Sequence, residues 1–70
     1  MEQGQVYRHR KSGKLYKILG TPEPGATNPE VMWVEYVGLR ERNAHMVEYG
    51  PLRAAQSDVF ERNFEPEEKA

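Results

Sequence analysis

The chain has 70 residues, no cysteine, ten Lys/Arg against eleven Asp/Glu, and a formal net charge of -1. Without Cys there is no disulfide framework and no thiolate metal site, and two histidines are too few for a finger-type zinc site. Near-neutral charge argues against general polyanion binding, and no apolar run is long enough to span a membrane. The first ten residues, "MEQGQVYRHR", are polar and lack the apolar core of a secretory signal, so a cytoplasmic location is expected. A chain this short makes one small domain, residues 1–70, with 1–4 and 66–70 expected to be flexible.

The first elements read as a β-hairpin from Gln5 to Leu19. "QVYRH" and "KLYKIL" are strand-like runs, and "RKSGK" between them holds Gly13 for the positive φ of a tight turn. Alternation places Arg8 and Arg10 on one face of the first strand and Tyr7 and His9 on the other. On the second strand Tyr16 and Ile18 share a face, with Lys14 beside them. Arg8 to Lys17 carries five Lys/Arg and no acid, in a chain whose last 28 residues hold six acids and three cations. A local patch of this kind acts without a global charge, because potentials are screened beyond about 8 Å at physiological salt.

"GTPEPGATNP", Gly20 to Pro29, has three prolines and two glycines and reads as a long loop. "EVMWVEYVGL" is the most apolar run and predicts the central strand, Val31 to Val37. Met32, Val34 and Tyr36 fall on one face; Val31, Trp33, Glu35 and Val37 fall on the other. "GLRERN" reads as a polar turn and "AHMVEYG" as a further strand, Ala44 to Tyr49. "GPL" should end that strand, since proline cannot donate to a ladder interior. "SDVFERNF" predicts a short helix, Asp58 to Asn63, with Ser57 as N-cap. "EPEEKA" reads as a frayed acidic tail.

Four to five short strands and one helical turn predict a mainly β fold. The expected form is a small SH3-like barrel or a strongly bent antiparallel sheet with a short C-terminal helix. The expected core is Val6, Leu15, Ile18, Val31, Met32, Val34, Tyr36, Met46, Val47, Phe60 and Phe64.

"YRHRKSGKLYKILG" resembles the opening of a family of small bacterial proteins catalogued as domain of unknown function 1653. Tyr7, Arg8, His9, Gly13, Leu15, Tyr16, Leu19 and Gly20 match that family's Tyr-Arg-His start, its Lys-Gly turn, and its Leu-Tyr and apolar pair ending in Gly. "VMWVEYV" and "DVFERNFEPEE" are similar to its later strand and acidic close. The middle departs from it: the family's Leu-Tyr-Gly-Asp and Trp-x-Arg-Pro segments have no counterpart in "YVGLRERNAHMVEYGPLRAAQSD". The resemblance implies a compact SH3-like β fold and brings no established activity.

Two functional surfaces can be drawn. In one, Arg8, Arg10, Lys11, Lys14 and Lys17 contact phosphates while Tyr7 or Tyr16 stacks on a base. The plainer account of these cations is a solvated strand face whose lysines discourage edge pairing. In the other, Trp33 becomes a partner-binding anchor, provided that its face with Glu35 lies open. His9 reads as a packed or hydrogen-bonded β residue. A two-His-one-carboxylate site from His9, His45 and Glu35 or Glu48 can be drawn, but the pattern is no stronger than chance. No nucleophile triad, glycine-rich phosphate loop or paired-metal pattern is present, so neither catalysis nor a cofactor is expected. The expected role is a protein-interaction module, monomeric or weakly homodimeric, with single-stranded nucleic acid as the alternative partner. Its candidate surface is Tyr7, Arg8, His9, Arg10, Lys14, Lys17 and Trp33.

Overall fold

The computed structural model describes residues 1–67. In chain order the elements are β1 (Val6–His9), β2 (Leu15–Ile18), β3 (Glu23–Pro24), β4 (Met32–Arg42), β5 (His45–Gln56), α1 (Ser57–Asn63) and β6 (Phe64–Pro66). They form one antiparallel sheet that curls into a half-barrel around the short helix, a mainly β fold of SH3-like kind.

The N-terminal hairpin forms as its sequence dictates. Tyr7 pairs with Tyr16, and Gly13 turns at φ 77° while its N–H donates to the His9 carbonyl at 2.8 Å. β4 is the hub. Its Trp33 pairs with Gln56 of β5 on one edge and Glu23 of β3 on the other; its Tyr36 pairs with Arg53 and with Ile18 of β2. β3 and β2 therefore share the edge of β4 opposite β5.

Three expectations about where strands begin and end need correction. "GLRERN" is not a turn: β4 runs on to Arg42, and the reversal is made by Asn43 and Ala44 alone, at φ 54° and 66°. Two positive φ values in a two-residue loop make the turn whose twist matches a hairpin. Gly50-Pro51 does not end β5. The ladder passes from Gly38↔Tyr49 to Val37↔Leu52, so Gly50 (φ 92°) and Pro51 bulge out of the pairing. A bulge is one of the places where a strand tolerates proline. The tail is not frayed through residue 67. β6 pairs with β1 as Tyr7↔Pro66, Arg8↔Glu65 and His9↔Phe64, and the Glu67 N–H donates to the Val6 carbonyl at 2.9 Å. The remainder of the expected flexible tail, 68–70, lies outside the described residues. At the other end, Gly4 donates to the Ile18 carbonyl and Met1 packs on the core.

The core sits in the concave face of the sheet. Tyr7, Ile18, Val34, Phe60 and Phe64 form it, with Met1, Tyr16, Tyr36 and Ala55 packed against it. Phe60 and Phe64, four apart on and just past the helix, stack at 4.1 Å with planes 5° apart. The helix starts at Ser57 itself, with Gln56 as N-cap and no side-chain cap bond, so Ser57 is not the cap.

The expected core list fails where strands overhang. β2 covers β4 only from Tyr36 to Gly38, so nothing lies over the far β4–β5 hairpin. Met46 there is 49% exposed and Val47 only half-buried. Met32 is exposed at the opposite end of β4. Val6, Leu15 and Val31 are half-buried, whereas Tyr7 and Val37 are buried core residues absent from that list. The overhanging hairpin draws the molecule out to 41 × 20 × 20 Å.

Candidate functional site

The seven candidate surface residues do not meet on one face. Tyr7 is not a surface residue. It is 6% exposed, and its ring lies edge-on to Phe60 at 5.2 Å, because alternation turns it into the concave face. Burial, and then the Glu61 charge, raise its phenol pKa. His9 lies on the same face, edge-on to Phe64 at 4.9 Å. Its Nδ1 accepts the Ser12 backbone N–H at 3.1 Å, and the Ser12 hydroxyl lies equally close. That imidazole holds the β1–β2 turn.

Arg8 and Arg10 stand on the convex face, where β6 neutralises them. Arg8 donates to Glu65 at 2.7 Å and to Glu67, and Arg10 donates to the other oxygen of Glu65 at 2.9 Å. The Arg8 hydrogen bond holds the Glu65 carboxyl below the usual carboxylate range, against its partial desolvation. Lys17 pairs with Glu48 of β5 at 2.6 Å. The basic run of the first strand pair therefore meets acids from the second half of the chain. Of its cations among the candidates, Lys14 makes no ion pair among the described residues.

Trp33 stands apart, on the convex face near β3. It is 40% exposed, and Glu35 two residues on is exposed beside it. The Gly20–Val31 segment folds over the sheet there as a turn closed by Gly25 N–H to the Val31 carbonyl (2.8 Å) and Val31 N–H to the Asn28 carbonyl (3.0 Å). A groove of about 520 Å³ opens between that loop and the sheet. Trp33, Pro24, Gly25 and Val31 supply its apolar wall; Glu23 and Glu35 supply charge; no Lys or Arg lines it. Gly25 is required by close approach, since a Cβ there would sit 2.8 Å from Trp33 Nε1.

A second groove of about 510 Å³ lies where the concave face runs out into the overhanging hairpin. Its residues Arg40, Tyr49 and Arg53 were not foreseen as a site, because their meeting depends on the register beyond the bulge. Among the described residues, no three His, Asp or Glu side chains cluster closely enough to hold a metal ion. Comparison of the chain with family models, with curated proteins and with solved structures finds no match.

Proposed function

We propose that the domain is a protein-interaction module that seats an extended, basic peptide segment in the Trp33 groove. One observation carries this reading: a large aromatic side chain stands open at the wall of a concave, acid-lined groove. Large exposed aromatics are expensive to leave in water and are over-represented among residues that dominate binding energy. Proline and glycine shape the wall without adding flexible side chains that binding would have to immobilise. Glu23 and Glu35, with no cation between them, favour a Lys- or Arg-bearing segment and disfavour an acidic one. The convex face thus recognises a partner by one apolar anchor and flanking positive charge, and nothing in this reading asks for catalysis.

The test is selection from a random-peptide display library against the intact domain. Trp33 is the sole tryptophan, so its fluorescence reports binding directly. Selected peptides should pair an apolar residue with nearby Lys or Arg. Trp33→Ala should weaken them by roughly 30-fold or more, the loss of about 2 kcal/mol typical of an anchor residue. Peptides without basic bias, or binding that survives Trp33→Ala, would refute the proposal.

A further inference from the structure

The concave groove has the opposite chemistry. Lys14 from the β1–β2 turn, Arg40 of β4 and Arg53 of β5 line it, with no carboxylate in its walls. None of the three forms an ion pair among the described residues, whereas Arg8, Arg10 and Lys17 of the first hairpin each pair with a glutamate. The floor is aromatic: Tyr16 passes beneath, edge-on to Tyr36 at 5.5 Å. At the rim the Arg40 guanidinium lies 4.2 Å from the centre of the Tyr49 ring, and Tyr49 remains 56% exposed. The register accounts for the gathering. Gly38 opposes Tyr49 and Tyr16, and Tyr36 opposes Arg53, so all of these project to one face. Gly38 has no side chain to fill the space, and a Cβ there would meet the Tyr49 carbonyl at 2.8 Å.

We infer that this groove binds single-stranded nucleic acid, with phosphates held by Lys14, Arg40 and Arg53 and a base stacked on the Tyr49–Arg40 pair. An anion is demanded by three cations in a concavity without acids. A planar one is favoured because a tyrosine ring and a guanidinium plane form a stacking platform, the device by which sequence-tolerant strand binders hold bases. A duplex is disfavoured, since its bases are stacked internally and offer no free face. An acidic peptide satisfies the cations but leaves the platform unused. The surface differs from the Trp33 groove in face, charge and residues, so the two readings stand or fall separately.

The experiment is an anisotropy titration of labelled oligothymidylate and oligouridylate at low and physiological salt. Three phosphate contacts predict a log–log salt slope near -2, so a fourfold rise in salt should weaken binding about 20-fold. Arg53→Gln and Arg40→Gln should each weaken binding and flatten the slope by about 0.7. Tyr49→Ala should weaken binding by roughly 5- to 160-fold, the worth of one base–aromatic stack, with the slope unchanged. Arg62→Gln removes the same charge from the helix surface, outside the groove, and should leave binding as it was. All four residues are exposed, and circular dichroism of each variant checks the fold. Absence of binding at low salt would overturn the inference. So would equal losses in Arg62→Gln and Arg53→Gln, which indicate diffuse charge only. Equal or tighter binding of an oligoglutamate peptide would overturn it too, in favour of an acidic protein partner.

Discussion

Replacing Phe60 with alanine tests the packing on which every surface described above depends. The side chain has no exposed area. Its ring stacks on Phe64 at 4.1 Å and meets Tyr7 at 5.2 Å and Tyr36 at 5.0 Å. Truncation removes the ring and leaves a void bounded by three stiff aromatic side chains that cannot collapse far. The expected cost is about 3–5 kcal/mol. A domain of this length has about 4–10 kcal/mol in all, so Phe60→Ala should remove roughly half of the stability or more. Phe60→Leu forfeits about two methylene equivalents and should cost about 1–2 kcal/mol. Val59→Ala, one position away on the solvent side of the same helix turn, should change stability by less than about 0.5 kcal/mol. Urea unfolding followed by far-ultraviolet circular dichroism gives all three values. If Phe60→Ala falls within about 1 kcal/mol of the parent, the helix does not close the half-barrel and the packing argument is wrong.

Two further outcomes follow from local geometry. Ala44 occupies the left-handed region at φ 66°, which costs an L-residue roughly 1–2 kcal/mol; glycine there returns part of that gain as unfolded-state entropy. Ala44→Gly should therefore stabilise the hairpin tip by about 0.5–1 kcal/mol, seen as slower amide exchange around Arg42 and His45; faster exchange would contradict the turn assignment. Because Arg8 lowers the Glu65 pKa in the fold, that carboxylate's stabilisation is complete above the ordinary glutamate value of about 4.3 and is lost as pH falls through its lower folded value. Glu65→Gln should flatten the fall in stability between neutral pH and the acid limb, and an unchanged acid titration would show that the β1–β6 ion pairs are not formed in solution.

The parts of the fold that were legible in the sequence are the local ones. Ser12-Gly13 between two β-rich runs specifies a hairpin within fifteen residues, and the Phe60–Phe64 spacing marks one buried face. Strand parity also separated Trp33 and Glu35 from Val34 and Tyr36, which made the open tryptophan face readable: a single Glu in an apolar strand indicates the side that water reaches. The illegible parts are those decided by distant partners. Proline normally closes a strand, and only the register on both sides of Gly50-Pro51 shows a bulge that lets β5 continue. "EPE" has the composition of a solvated tail. It becomes a strand because Arg8 and Arg10, 55 or more positions earlier, present matching charge and an open edge. The same contact divides the basic run near the N-terminus: Arg8 and Arg10 are paired with β6, while Lys14 is left beside Arg40 and Arg53 of the second hairpin.

The pairing of β6 with β1 also sets the order in which this chain can become a folded object during its own synthesis. Residues 6–56 emerge first and contain most of the sheet, yet Phe60, Phe64 and the acids that quench Arg8 and Arg10 are encoded after them. Without residues 57–67 the concave face has no Phe60–Phe64 plug, the edge of β1 is bare, and Arg8 and Arg10 stand without counter-charges. A chain interrupted before α1 therefore keeps an unpaired strand edge and an apolar face without its aromatic cover, the features that make partly folded chains prone to aggregate. Completion is correspondingly cooperative, because the eleven residues 57–67 deliver the plug, the edge strand and the charge balance together.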